Sequence, residues 1–244
     1  MSEKFLIFDI YGDFAHFKRY YTTSSPLTFS IPPRTALIGL ISAIIGIHKN
    51  EYLPLMSKDK AKLAVRILSP IKKFRMTQNL INTKGGIWTL IKKPGHEPRT
   101  QICFEYLKEP KFRIYFTHFD NEIYNSLKEN LKEHKSYYTP YLGISELISN
   151  FDFINECSVI SLTNENEFFN VNTVIPMKKL IEIDRRDFFQ TGRKYSKELI
   201  PVEMLKDRVV TEYSEILFEI EGKPIKARIK DGLILENNDV IILL

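Results

Sequence analysis

A dense run of basic residues is the feature of this sequence best suited to binding chemistry. The segment from Pro70 to Thr100, called the basic arm below, has seven Lys and Arg but one acid, Glu97, giving a net charge of +6. The whole chain of 244 residues carries +5, so the remainder sums to about −1. Clustered cations bind polyanions because each phosphate contact releases counterions locally. The arm therefore predicts nucleic-acid binding, and a solvated lysine-rich hairpin is the open alternative. Its basic residues are Lys72, Lys73, Arg75, Lys84, Lys92, Lys93 and Arg99.

Aromatic side chains are interleaved with these cations. Phe74 and Trp88, the only tryptophan of the chain, lie within the arm, and a ring that stacks on an unpaired base contributes about 1–3 kcal/mol. Trp88 is predicted to contact RNA or, alternatively, to anchor the arm on a neighbouring subunit, since tryptophan is frequent at interface hot spots. Gly85 and Gly86 permit a tight reversal at the middle of the segment, which predicts a projecting β-hairpin.

A second candidate site follows the first predicted strand. Lys18 and Arg19 would offer two cations to a single RNA strand, beside rings on which bases can stack. The competing interpretation is that the rings fold the loop onto the core, and for Phe17 this interpretation is favoured. The neighbouring rings are His16, Phe17, Tyr20 and Tyr21.

Arg34 falls in the first turn of a predicted helix. Pro32 and Pro33 mark the start of this apolar helix and Gly46 its end, since proline is tolerated in the first turn and glycine favours the C-terminal cap. The helix N-terminus and Arg34 together predict an anion site, and pairing of Arg34 with a nearby carboxylate is equally open.

The loop YYTPYLGISE supplies a further set of candidates. Tyr137 and Tyr138 are predicted to contact RNA, and Gly143 would allow a backbone amide to approach it closely. Ordinary turn residues are an equally good interpretation of all three.

The elements that must position these residues alternate between strand and helix patterns. Strands are predicted at 4–11, 61–79, 99–119 and 157–163, and helices after Pro33 and at 121–134. This βαββαβ order is typical of ferredoxin-like and RRM-like domains and predicts an α+β fold. We expect a palm over residues 1–165 with the arm inserted at about 70–100, and a β-rich extension over 166–244 packed on the palm.

The N-terminal block FDIYGDFAHFKRYYTTSSPLTFSIPPRTALIGLISAIIG resembles the opening of the fifth CRISPR-associated family, whose members cap the 5′ handle of crRNA in type I Cascade complexes. PYLGISE, at 140–146, resembles the second short motif of that family, and the block is most similar to type I-B. The matching positions are Gly12, Ala15, Phe17, Lys18, Arg19, Pro33, Arg34, Thr35 and Gly39 through Gly46.

The resemblance implies a protein shaped like a right hand, in which an RRM-like palm carries the arm as a thumb. It implies a non-catalytic subunit that clamps the 5′ handle of the guide and nucleates the filament of backbone subunits. A large subunit that recognises the PAM would dock nearby, and target DNA would be met through the complex.

Two other functions remain open. A metal-independent endoribonuclease that processes pre-crRNA needs a general acid or base and a cation, and His118 with Tyr115 and Lys111 supplies the residue types. Strand alternation, however, directs His118 away from the face that Tyr115 and Lys111 share. An unrelated small-molecule role on the same fold is the third hypothesis.

The remaining features exclude other protein classes. The sequence has no phosphate-binding, dinucleotide-binding or zinc-protease motif. Cys103 and Cys157 lack metal-ligand spacing, so we expect free thiols, no metal and no cofactor. The longest apolar run, at 36–47, is too short to cross a bilayer, and we expect a cytoplasmic protein.

Overall fold

The computed structural model describes residues 3–22, 25–83 and 89–244. Strands dominate, with a few short helices, so the predicted mixed α+β class is confirmed. The strands are β1 (Lys4–Tyr11), β2 (Phe14–Ala15), β3 (Ala61–Ile67), β4 (Lys73–Ile81), β5 (Arg99–Lys108), β6 (Lys111–His118), β7 (Asn150–Leu162), β8 (Phe169–Val171), β9 (Ile175–Pro176), β10 (Leu180–Ile183), β11 (Tyr195–Met204), β12 (Val210–Glu219), β13 (Ile225–Ile229), β14 (Leu233–Leu235) and β15 (Val240–Ile241). The helices are α1 (Arg34–Ile45), α2 (Tyr52–Leu55), α3 (Asn121–Lys132) and α4 (Arg185–Phe188), with a 3₁₀ turn at Met177–Lys179.

Four antiparallel strands in the order β7-β1-β6-β3 form one end of the largest sheet. β1 is buried on both faces. Leu6, Phe8 and Ile10 belong to the main core, which also contains apolar residues of α1 and α3, while Phe5 and Ile7 pack against the C-terminal strands β14 and β15. A strand covered on both faces needs a nearly continuous apolar run, which explains its sequence.

The predicted bounds of α1 are confirmed. Pro33 is the N-cap residue and Gly46 the C-cap residue, with a left-handed φ of 83° and a backbone N–H that donates to Ser42. A Cβ at position 46 would also lie 2.8 Å from the Tyr137 ring, so both the dihedral and the space require glycine here.

Other predicted bounds differ from the structure. Each long predicted β stretch is two strands, β3 and β4 separated near Pro70, and β5 and β6 separated at Pro110. Proline lacks the N–H that a continuous sheet ladder needs, so the chain leaves the sheet at both points. The fourth predicted strand begins at Asn150, seven residues earlier than expected.

The C-terminal strands extend and curl the sheet. The described residues give the full order β10-β13-β8-β15-β14-β7-β1-β6-β3, while β11, β12 and β9 form a separate sheet. The amide of Val174 donates to Val65 (2.8 Å) and that of Leu244 to Leu63 (2.9 Å), so C-terminal segments cover the free edge of β3. Across the described ranges, no helix is long and apolar enough to span a membrane.

Candidate nucleic-acid interface

The basic arm includes β4 and the first residues of β5, which form a two-stranded hairpin. β4 and β5 pair antiparallel from Lys73 opposite Leu107 to Ile81 opposite Arg99. Together with β2 they form a three-stranded sheet separate from the large one. The predicted turn glycines Gly85 and Gly86, together with the candidates Lys84 and Trp88, lie outside the described residues.

The two faces of the β4–β5 hairpin differ in chemistry. One face carries alternate polar residues, including Lys73, Arg75 and, opposite Ile81, Arg99. The other face carries Phe74 and Tyr106, whose rings stack with centroids 5.7 Å apart. Cations and aromatic rings therefore sit on opposite faces of one element. The rings packed together on the aromatic face, with residues of the β2 segment, are Phe14, His16, Phe74, Phe104 and Tyr106.

Several predicted cations of the arm are exposed. The side chain of Lys92 is 73% exposed and pairs with the exposed Glu97, and that of Arg75 is 67% exposed and lies 4.0 Å from Glu105. Surface pairs of this kind are weak and leave the cation accessible. Lys72, Lys93 and Arg99 are exposed and have no carboxylate partner within 4 Å among the described residues.

Two other predicted cations, Arg19 and Lys73, contact the same carboxylate of the protein. Arg19 Nη2 lies 2.6 Å from Glu198 Oε1, and Lys73 Nζ lies 3.4 Å from the same oxygen. Both side chains also donate to the Thr28 carbonyl, at 3.1 and 3.0 Å. The side chain of Glu198 is only 9% exposed and also accepts two hydrogen bonds from Ser30. The structure thus brings the Lys18–Arg19 loop to the base of the hairpin, but it joins them through a buried carboxylate of β11.

Arg34 is completely buried. Its guanidinium donates to the carbonyls of Val202, Met56 and Ala61 at 2.8 to 3.1 Å and lies 3.5 Å from Glu203. Burial lowers the pKa of this guanidinium, and Glu203 opposes that change. Of the two interpretations of Arg34, carboxylate pairing is the arrangement found, and a side chain with no exposed surface has no face for a phosphate.

The second motif loop packs on the loop that holds Lys18. Gly143 has φ of 99°, and a Cβ there would lie 2.0 Å from the His16 carbonyl oxygen. The His16 amide donates to Leu142 O at 3.0 Å. Glycine at position 143 is therefore required by an approach of two protein backbones. The Lys18 side chain is exposed at this junction.

Tyr137 and Tyr138 lie at the C-terminal end of α1. Their amides donate to the carbonyls of Ile44 and Ala43, and their rings meet edge to face with centroids 4.8 Å apart. The side chains are 73% and 45% exposed. Both rings are therefore accessible, on an element other than the hairpin.

The candidate ribonuclease residues do not converge. His118 is buried, its Nδ1 accepts from the Asp120 amide (3.0 Å), and its Nε2 lies 3.0 Å from the Leu55 carbonyl. Tyr115 lies on the opposite face of β6 and donates to Asp239 (2.8 Å), while Lys111 lies over the Tyr11 ring. Both nitrogens of His118 are thus used by the backbone. The described residues contain no cluster of three or more metal-ligating side chains.

Comparison with known families decides the assignment. The family model described as CRISPR-associated protein (Cas_Cas5) matches residues 5–157, more than half of the chain. The chain belongs to this Cas5 family. No curated protein sequence matches it. A chain of a CRISPR RNA-guided surveillance complex shares its fold, with a TM-score of 0.54 and 13% identity over 91% of both chains. A CRISPR protein from Archaeoglobus fulgidus aligns over 98% of this chain and 97% of its own at 15% identity, with a TM-score of 0.49.

The carboxylates that organise this Cas5 chain were not predicted from the sequence. Glu198 lies 179 positions from Arg19, and Glu203 lies 169 positions from Arg34. Both belong to β11, beyond the segment that the family model matches. Alternation in β5 could have indicated Phe104 and Tyr106 as partners of Phe74, since all three share one face of the hairpin.

Proposed function

We propose that this Cas5 protein is a non-catalytic subunit of a type I CRISPR effector complex of the Cascade kind, and that it binds the 5′ handle of crRNA. The observation that carries the proposal is the β4–β5 hairpin, a separate small sheet with exposed cations on a strand-rich body. Phosphates would meet the cations, and unpaired bases would meet the partly exposed rings of Phe74 and Phe104. Family membership and the fold shared with a surveillance-complex chain support this assignment.

The finer structural and cellular assignments belong to the same proposal. The strands β7-β1-β6-β3 form an antiparallel sheet, and together with α1 and α3 they occur along the chain in the order βαββαβ. This arrangement supports a ferredoxin-like palm. The hairpin would then be the thumb, and residues 166–244 would be an extension packed on the palm. The proposed partners are filament-forming backbone subunits and a PAM-recognising large subunit, with target DNA met through the complex. We also propose type I-B as the subtype and the cytoplasm as the location, on the resemblance of the N-terminal block.

The proposed RNA contacts divide by accessibility. Exposed cations of the arm and of the early loop would contact phosphates, and Tyr137 and Tyr138 offer accessible rings. Arg19 and Lys73 would hold the hairpin against β11, and Gly143 would hold the two loops together. Arg34 has a structural role. The exposed cations are Lys18, Lys72, Arg75, Lys92, Lys93 and Arg99.

The test compares two variants of equal charge. Lys72→Glu/Lys92→Glu/Lys93→Glu alters the hairpin, and Lys4→Glu/Lys135→Glu/Lys206→Glu reverses three exposed lysines elsewhere. Three lost phosphate contacts should weaken binding of a repeat-derived RNA on the order of 100-fold near 0.1 M salt and lower the salt slope by about 2. Fluorescence anisotropy across a salt series measures both quantities. Equal affinities for the two variants would reject the hairpin as the RNA site.

The ribonuclease alternative is tested on the same RNA. His118→Gln and His118→Ala should leave the length of a repeat-containing transcript unchanged after incubation, because the ring is committed to backbone groups. The ribonuclease function would be favoured if the unaltered protein cleaves the transcript in the presence of a metal chelator and both variants fold but do not cleave it.

A further inference from the structure

The C-terminal strands carry a second concentration of positive charge. Residues 178–194 and 223–230 together contain ten Lys and Arg but only three Asp and Glu. The segments are neighbours in space because β10 pairs antiparallel with β13, and α4 directly follows β10. This excess of seven charges is one larger than that of the basic arm. The residues outside the arm sum to a net charge of only about −1, because acidic residues elsewhere in the chain offset this local positive charge.

The cations of β13 form a row on one face. Lys226, Arg228 and Lys230 alternate with Ile225, Ala227 and Ile229, which are buried in the C-terminal core. Alternate residues of a strand lie about 6.8 Å apart. The outward face of β13 therefore presents Lys226 and Arg228, and Lys230 follows directly after the strand.

α4 adds arginines and phenylalanines beside this row. It packs against β13, and Asp187 accepts a hydrogen bond from the Lys226 amide (3.3 Å). Arg185 and Arg186 are exposed, and Phe189, directly after the helix, is 79% exposed.

Internal carboxylates neutralise only part of this charge. Arg193 pairs with Asp187 (2.5 Å), Lys226 with Asp184 (3.3 Å) and Arg228 with Glu182 (3.2 Å). These pairs use all three acids of the two segments. Glu221 also contacts Lys194 (3.5 Å) and Lys223 (2.7 Å). Within the described part of the chain, no carboxylate lies within 4 Å of four further exposed cations of this surface. They are Lys178, Arg185, Arg186 and Lys230.

We propose that this C-terminal basic surface, formed by β10, β13 and α4, binds the phosphate backbone of duplex DNA. Single-stranded nucleic acid needs a groove with rings for successive bases. A duplex backbone needs only accessible cations arranged along a surface, as on the outward face of β13. Phe189 is placed to pack against the sugars or a base step of a bound duplex. The surface shares no residue with the proposed RNA site, so the proposal goes beyond guide binding.

The test uses the full chain and a fluorescent duplex of about 30 base pairs, compared with the repeat-derived RNA. Arg185→Glu/Arg186→Glu/Lys230→Glu removes three of the unpaired cations, and Lys4→Glu/Lys135→Glu/Lys206→Glu is the control of equal charge. We expect the first variant to bind the duplex on the order of 100-fold more weakly near 0.1 M salt, with a salt slope lower by about 2.7. Its RNA affinity should stay within about 3-fold of the control, and the hairpin variant should show the reverse pattern.

Several results would overturn the inference. One is an unaltered protein that binds the RNA but no duplex at low salt, which leaves the proposed function standing. Another is equal loss of RNA and duplex affinity in the surface variant, which would make the surface part of the guide site. A third is unchanged duplex affinity together with failure to join the effector complex, which would make it a protein-docking surface. A urea midpoint for each variant confirms that the comparison is between folded proteins.

Discussion

Two groups of basic residues with similar sequence signatures lie in opposite environments. Arg34 is buried, the side chains of Arg19 and Lys73 are 21% and 26% exposed, and all three contact Glu198 or Glu203, whereas Lys72 and Lys93 on the hairpin are exposed and have no such partner among the described residues. The first group connects the early loop, α1 and the hairpin base to β11. The comparison teaches that a cation in a family-like motif can serve the fold, while neighbouring cations remain available to a ligand.

The largest expected effect is at Arg34. Arg34→Met keeps the length of the side chain but leaves three buried carbonyls without donors, which should lower the free energy of unfolding by about 3–5 kcal/mol. Arg99→Met, at an exposed arginine of the hairpin, should change it by less than about 0.5 kcal/mol. Urea unfolding monitored by circular dichroism measures both. Similar stability of the two variants would remove the distinction between the groups.

A smaller loss of stability is expected from a substitution of Glu198, the carboxylate that both Arg19 and Lys73 contact. Glu198→Ala removes the acceptor of two cations and of Ser30, and should lower the free energy of unfolding by about 1–3 kcal/mol. Glu215→Ala, on the neighbouring strand β12, breaks only the exposed pair with Lys197 and should cost less than about 1 kcal/mol. A urea midpoint for Glu198→Ala equal to that of Glu215→Ala would show that Glu198 does not secure the hairpin base.

The same distinction marks the limit of what the sequence could predict. Local signals located α1 between Pro33 and Gly46, a β stretch on each side of the tandem glycines, and the cations of the basic arm, because dihedral preferences and alternation act over a few residues. The partners of Arg19 and Arg34 could not be found this way, since Glu198 and Glu203 meet them only after the C-terminal strands fold back on the N-terminal part of the chain. Gly143 shows the same limit, because the backbone that it must approach belongs to residue 16.

The buried His16 ring is expected to make the stability of the protein depend on pH. The ring is buried beneath the aromatic face of the hairpin, and its burial lowers the pKa below the ordinary 6.5, although the Glu105 carbonyl near Nδ1 opposes the shift. Below pH 6.5 the unfolded chain takes up a proton that the buried ring resists. This contribution to stability is therefore complete above that pH and is lost as pH falls towards the folded pKa. His16→Gln should reduce the loss of stability between about pH 7.5 and pH 5 in urea unfolding, and an unchanged loss in this variant would show that the buried ring is not its source.

The smallest effect on stability is expected where the effect on binding is largest. In Lys72→Glu/Lys92→Glu/Lys93→Glu, the only ion pair of the described residues that is broken is the exposed Lys92–Glu97 contact, so the free energy of unfolding should change by less than about 1 kcal/mol. Fewer like charges on the arm would even favour folding slightly at low salt. A urea midpoint close to that of the unaltered protein, combined with weak RNA binding, would separate ligand-binding cations from structural ones. A large loss of stability would place the hairpin lysines in the same class as Arg34, and their exposure would then have no bearing on function.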